Sequence, residues 1–147
     1  IGQVARVTNS FSKHNIMTHA YLMFGFPTQT EQETIDSLEV VRQLFESGCV
    51  QSAFWHMFTT TVHSPIGKNP EEFEIKITGP DFEGFAQNDL WHEDPTGADH
   101  ELYKKGLNLA LDSYLNKAGF EKNLQDWFEF EIPETTVSDN WVSDFVK

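Results

Sequence analysis

Six histidines and one cysteine are the side chains of this sequence with reactivity near neutral pH. The histidines are His14, His19, His56, His63, His92 and His100, and none forms an H-x-x-x-H pair or another compact ligand spacing. A zinc site is therefore disfavoured. His63 is the strongest single candidate, because it sits beside Ser64-Pro65 in the loop that follows a strand, Phe58-Thr-Thr-Thr-Val-His-Ser-Pro65. A loop histidine beyond a strand could orient a substrate or move a proton; a surface or loop-packing histidine is the competing reading. His63-Ser64 is no hydrolase signature, since G-x-S-x-G is missing. Cys49 stands between a helix end and a strand start, as a small buried apolar group does. A lone cysteine builds neither a disulfide nor a thiolate cluster, and it fits a reducing, cytoplasmic setting. Asp81, Glu83, Asp89, Glu93 and Asp94 lack the spacing of a calcium loop and read as solvated acids.

Backbone chemistry is the second resource. Tyr21-Leu-Met-Phe-Gly-Phe-Pro-Thr-Gln-Thr30 runs from an apolar strand into a tight turn, and the helical pattern of Glu31 to Phe45 follows at once. Such a unit places a helix start at the carboxyl end of a strand, where α/β proteins bind ligands. The start at Thr30 reads either as an ordinary capped end or as the seat of a ligand anion.

The elements that must hold these residues follow from periodicity. Val4, Val7 and Phe11 mark a helix over roughly 2–14, and Ala20 to Phe24 reads as a strand covered on both faces. Thr30 with Glu33 forms a capping box, with Thr28 and Glu31 as a second register. Ile35, Leu38, Val41, Leu44 and Phe45 face inward, while Asp36, Glu39, Arg42, Gln43 and Glu46 face outward. Gly48 closes the helix. A strand over about Ser52 to Phe58 completes one parallel crossover. Residues 59–70 read as a loop, and Phe73, Ile75 and Ile77 alternate as a half-exposed strand ended by Gly79-Pro80. Phe82 to Trp91 reads as irregular. A second strong helix, Asp99 to Ala118, turns Tyr103, Leu107, Ala110, Leu111 and Tyr114 inward. Leu124, Trp127 and Phe128 suggest one more short helix, and Trp141 and Phe145 anchor a polar tail.

The 147 residues carry a net charge of −13, unevenly spread. Residues 1–68 hold five acids against Arg6, Lys13, Arg42 and Lys68, a balance of −1, so residues 69–147 carry −12. Nucleic acid and anionic membranes are disfavoured partners of such a surface. No apolar run is long enough to span a bilayer. The chain opens on Ile1 rather than Met and is expected to be part of a longer protein.

The order helix, apolar strand, Gly25-Phe26-Pro27-x-x-Thr30, acidic helix, strand resembles the second half of the barrel in radical SAM enzymes. Many of those show Gly-Phe-Pro-Gly-Glu-Thr, where this chain has Thr28 and Gln29 at the fourth and fifth places. The acidic part, with Phe85-Ala-Gln-Asn-Asp-Leu90 and Gly106-Leu107, resembles the tail of the subgroup with a cobalamin-binding domain. The resemblance implies an α/β fold: residues 1–68 as the C-terminal fragment of a (βα)6 partial TIM-type barrel with parallel strands, and residues 69–147 as an α-rich acidic extension.

It also implies S-adenosylmethionine and a 4Fe–4S cluster in the parent protein, with cobalamin as a further possibility, and cleavage of SAM to a 5′-deoxyadenosyl radical acting on an unidentified substrate. By position in the motif, Met23, Gly25, Phe26 and Pro27 would border the nucleotide, Met57 or Phe58 would approach it, and His63 would face the substrate. Gln29 brings no charge where glutamate is usual. The C-x-x-x-C-x-x-C loop is missing, so the chain would hold no cluster, contribute no catalytic residue of its own, and need the preceding barrel half as partner. The competing expectation is a non-catalytic acidic docking or binding module that recruits a basic partner.

Overall fold

The structure, a computed structural model, describes residues 1–81, 88–95 and 97–147. Glu83 and the run Phe85–Gln87 lie outside the described residues, and with them parts of the calcium and cobalamin-subgroup expectations.

The architecture is mixed α/β. Helix α1 (Gly2–Lys13) leads to strand β1 (His19–Phe24), helix α2 (Glu31–Glu46) and strand β2 (Ser52–Met57). β1 and β2 pair in parallel, with His19 opposite Ser52 and Phe24 opposite Met57. The expected crossover is thus present as a parallel pair, and no closed barrel forms among the described residues. A second sheet is antiparallel in the order β3 (Thr60–Thr61), β5 (Asp89–Glu93), β4 (Lys76–Gly79). Helix α3 (Pro65–Lys68), helix α4 (His100–Leu115) and the short helix α5 (Ser143–Val146) follow, and the short helix expected around Leu124 is a 3₁₀ helix, Leu124–Trp127.

α2 begins where its chemistry dictates. Thr30 Oγ1 accepts from the Glu33 N–H at 3.2 Å, and Glu33 Oε2 accepts from the Thr30 N–H at 2.9 Å. Both halves of the capping box are made, which selects this register over Thr28 and Glu31. The apolar stripe Ile35, Leu38, Val41, Leu44 and Phe45 is buried. It meets α4, whose inward residues Tyr103, Leu107, Ala110, Leu111 and Tyr114 are buried as the sequence indicates. α4 also covers one face of β2, so one hydrophobic core draws on both the 1–68 and the 69–147 segments.

Four expectations need correction. The outward side of α2 is not solvated throughout: Glu39 and Gln43 are each only 4% exposed, because the C-terminal tail lies along them. β1 is covered on one face only, with Tyr21 76% exposed on the other. The helix periodicity of Val4, Val7 and Phe11 is real, but that stripe is exposed and α1 buries Ala5 and Thr8 instead. Alternation at Phe73–Ile77 does not give a strand from Phe73. Pro70–Phe73 is a 3₁₀ turn, Glu74 is left-handed at φ 58°, and pairing starts only at Lys76. Within 59–70 and 82–91 the sequence also hides β3, α3 and β5, all too short for periodicity to register.

The tail does dock by its aromatics. Trp141 stacks edge-on with Phe145 at 5.3 Å, and Arg6 of α1 lies 5.5 Å from the Phe145 ring. No helix among the described residues is long and apolar enough to cross a membrane.

Candidate functional site

Residues 25–30 form a turn whose backbone donors are used internally. Gly25, buried and at φ 77°, adopts the left-handed conformation that glycine alone takes without strain. Its N–H donates to Gln29 Oε1 at 2.6 Å, and the Phe26 N–H donates to the same oxygen at 3.3 Å. Pro27 has no N–H. The Thr28 N–H donates to Asp94 Oδ2 at 2.8 Å, the Gln29 N–H to the Phe26 carbonyl at 2.9 Å, and the Thr30 N–H to Glu33. Every donor from Gly25 to Thr30 therefore has a protein acceptor. Of the two sequence readings of this helix start, the ordinary capped end is the one realised; an arriving anion would have to displace Gln29, Asp94 or Glu33.

A strap from the antiparallel sheet holds the turn from outside. After β5, Asp94 Oδ1 accepts from the Gly97 N–H at 2.9 Å while its other oxygen takes Thr28. The Ala98 N–H donates to the Gln29 carbonyl at 3.1 Å. Thr28 is a β-branched residue at φ 67°, a conformation that persists only where its surroundings fix it, and Asp94 does so here. His100 follows, with its ring against Gly25: a Cβ there would stand 3.2 Å from the imidazole Cγ. Burial pushes the His100 pKa down, Asp94 and Asp99 pull it up by a lesser amount, and His92 adds to the lowering. His92 is itself held by Thr60 Oγ1 at 3.1 Å and lies edge-on to Phe58 at 6.0 Å.

The four residues expected to border a nucleotide divide into two pairs. Gly25 and Pro27 are buried and shape the turn, whereas Met23, 55% exposed, and Phe26 present surface. Phe26 stacks edge-on with Phe58 at 5.2 Å, so the end of β2 does meet the turn. Met23 lies in register with His56, and Tyr21 stands 5.8 Å from Phe54 and 6.2 Å from His56 by ring centroids. That bare sheet face is aromatic, thioether and imidazole, which suits a planar apolar base better than a phosphate. His63 is exposed on the turn between β3 and α3. The histidine aligned with Met23 is His56, and strand alternation was the signal that could have found it.

On the far side of the turn an open groove of about 770 Å³ runs between Phe26, Pro27, Gln29 and Val40 and the tail residues Val137 and Trp141. Sequence reading missed the strap. Asp94-Pro95-Thr96-Gly97 carries a turn signature, but nothing local points Asp94 at Thr28 or His100 at Gly25.

Cluster ligands are a separate matter. Cys49 is fully buried, contacting Ser47 Oγ at 3.3 Å and the Ala5 carbonyl at 3.7 Å, and it precedes β2 at the end opposite the Gly25 turn. Among the described residues no three His, Cys, Asp or Glu side chains stand close enough to hold a metal ion. The donor set of this chain does not fit an iron–sulfur cluster. Met23 and Phe26, by contrast, are exposed apolar side chains at this strand end. No protein-family model, no curated protein and no solved structure matches the chain.

Proposed function

We propose that the chain forms the last part of a radical SAM barrel in a longer enzyme, and that the end of β1 is one wall of its nucleotide pocket. The observation that carries this reading is the in-register parallel pairing of β1 with β2, ending at Gly25-Phe26-Pro27 beside an uncovered face with Met23 on it. A parallel pair with one bare apolar face needs further strands or another body to cover it. In this reading the preceding barrel half supplies them, together with the cluster thiolates this chain lacks.

Bound SAM would bring the 5′-deoxyadenosyl group. The residues here bind and orient: Met23 gives a polarisable contact for the base, Phe26 and Phe58 close the rim, and Gly25 and Pro27 fix the turn. His56, aligned with Met23, and His63, beyond the end of the second strand, are the side chains available to hold or move a proton on the substrate side. Any cobalamin would be held by the parent protein's remaining domains.

Met23→Glu in the parent protein tests the assignment. A carboxylate against the base should weaken SAM binding by about tenfold or more by equilibrium titration, with circular dichroism to check that the fold is retained. Unchanged affinity would reject the role of Met23.

A further inference from the structure

The imidazole of His100 is half-buried in an unusual way. Neither Nδ1 nor Nε2 has a hydrogen-bond partner among the described residues, and both atoms are shut away from solvent. The ring packs on Gly25 as the first residue of α4, and two residues back the Ala98 N–H holds the Gln29 carbonyl. Four more residues back Asp94 holds the Thr28 N–H. The charged or titratable groups facing the ring are Asp94 in the strap, Asp99 before the helix and His92 on β5. The turn itself, from Gly25 to Thr30, carries no charged side chain.

We propose that Asp94, Ala98 and His100 form a pH-operated clasp on the Gly25–Gln29 turn, closed while His100 is neutral and released when its imidazole takes a proton. A neutral ring tolerates this site at the expense of one unmade donor and one unmade acceptor. An imidazolium would present two donors and a full charge where neither nitrogen meets solvent or, among the described residues, an acceptor, so it must leave. Moving outward, it meets Asp94, whose Oδ2 is the acceptor of the Thr28 N–H. The proton thus withdraws the ring from Gly25 and competes for the carboxylate that holds the left-handed Thr28. Both contacts of the clasp are loosened by one titration. This inference is independent of the nucleotide assignment, since it concerns the chain's own closure.

The sign follows from linkage. His100 has a closed-state pKa below its open-state value, so closure is fully favoured above about pH 6.5, the ordinary histidine value. It weakens as pH falls from there through the depressed closed-state value. Amide exchange by NMR on the full chain, from pH 7.5 to 4.5, reads it directly. Protection of the Thr28 and Ala98 amides should fall by about tenfold per pH unit below about 6.5, with the His100 Cε1–H shift titrating below that onset, while the Val142 amide stays protected. His100→Phe, which fills the same space and cannot titrate, should hold Thr28 and Ala98 protected throughout, with His100→Gln as the alternative if the phenylalanine variant fails to fold. Flat protection in the wild type overturns the clasp. So does an equal loss in the non-titrating variant, or a wild-type midpoint that tracks the Asp94 carboxyl instead of the imidazole.

Discussion

The N–H of Val142 donates to Oε1 of Gln43 at 2.9 Å, joining the C-terminal tail to the middle of α2 across 99 positions of chain. The same amide gives its two N–H donors to the Ser138 carbonyl at 2.8 Å and to Glu39 Oε1 at 2.7 Å. Glu39 is satisfied in turn by Arg42 at 2.7 Å, and Arg42 also reaches the Phe120 carbonyl at 3.0 Å. Toward the helix start, Asp36 accepts from Thr135 and Thr136, and Gln32 donates to the Glu134 carbonyl. What looks like a water-facing polar stripe on α2 is a seam, made of side-chain amides and carboxylates that the tail's backbone completes.

Gln43→Ala should therefore cost far more than an exposed glutamine would. It strands the Val142 N–H, the Ser138 carbonyl and a buried lobe of Glu39, and a net loss of about 2–4 kcal/mol is expected from groups left unpaired. Gln43→Glu keeps an acceptor for Val142 but sets a second carboxylate against Glu39, so it should also destabilise at neutral pH. Urea unfolding compares the two with the wild type. An unchanged midpoint for the alanine variant would mean that the tail is not seated on α2.

Asp36 makes that seam sensitive to acid. Burial works to raise its pKa, yet the hydrogen bonds from Thr136, Thr135 and Gln32 outweigh it and hold the carboxyl below the usual range. The folded value is depressed, so the stabilisation is present above the ordinary carboxylate pKa of about 3.9 and is lost as pH falls through the folded value. Protection of the Thr136 amide should collapse there in the wild type. In Asp36→Asn the tail should be looser at neutral pH and show no such step. Identical acid profiles for the two proteins would place the tail's anchor elsewhere.

Gly25→Ala combines two penalties. The new side chain must accept φ 77°, and its Cβ would crowd the His100 ring at 3.2 Å. A destabilisation of about 1–3 kcal/mol is expected. Gly25→Ala/His100→Ala removes the crowding and leaves the backbone term, so the pair should couple measurably in a double-mutant cycle by thermal unfolding. Strict additivity would show that His100 does not press on the turn in solution.

Local sequence carries some of these relationships and hides others. The capping box at Thr30 and Glu33 and the apolar stripes of α2 and α4 were legible because each is set by spacing within one element, and the parallel strand pair because a short strand–helix–strand run favours that crossover. The burial of Gln43 was not, since a polar residue on a helix face reads alike whether water or a distant tail satisfies it. His100 is a sharper case. Its environment comes from a glycine 75 positions earlier, and its buried, unpaired nitrogens go against the rule by which sequence is read. Position in a loop singled out His63, whereas strand register is what brings His56 beside Met23.

Gln29 gives the most direct test of how the turn is held. Its Oε1 accepts from the Gly25 and Phe26 N–H groups together, a task that needs an acceptor oxygen but no charge. Gln29→Glu should therefore preserve the turn, with shorter charge-assisted bonds to the same two donors. Gln29→Ala should expose both donors, lower stability by about 1–3 kcal/mol and speed amide exchange at Gly25. The alanine variant also opens a pair of adjacent backbone donors at Gly25 and Phe26, so added inorganic phosphate should shift these two amide resonances in that variant alone. Equal shifts in the wild type would mean that Gln29 does not occupy the pair, and that the turn is free to receive an anion as it stands.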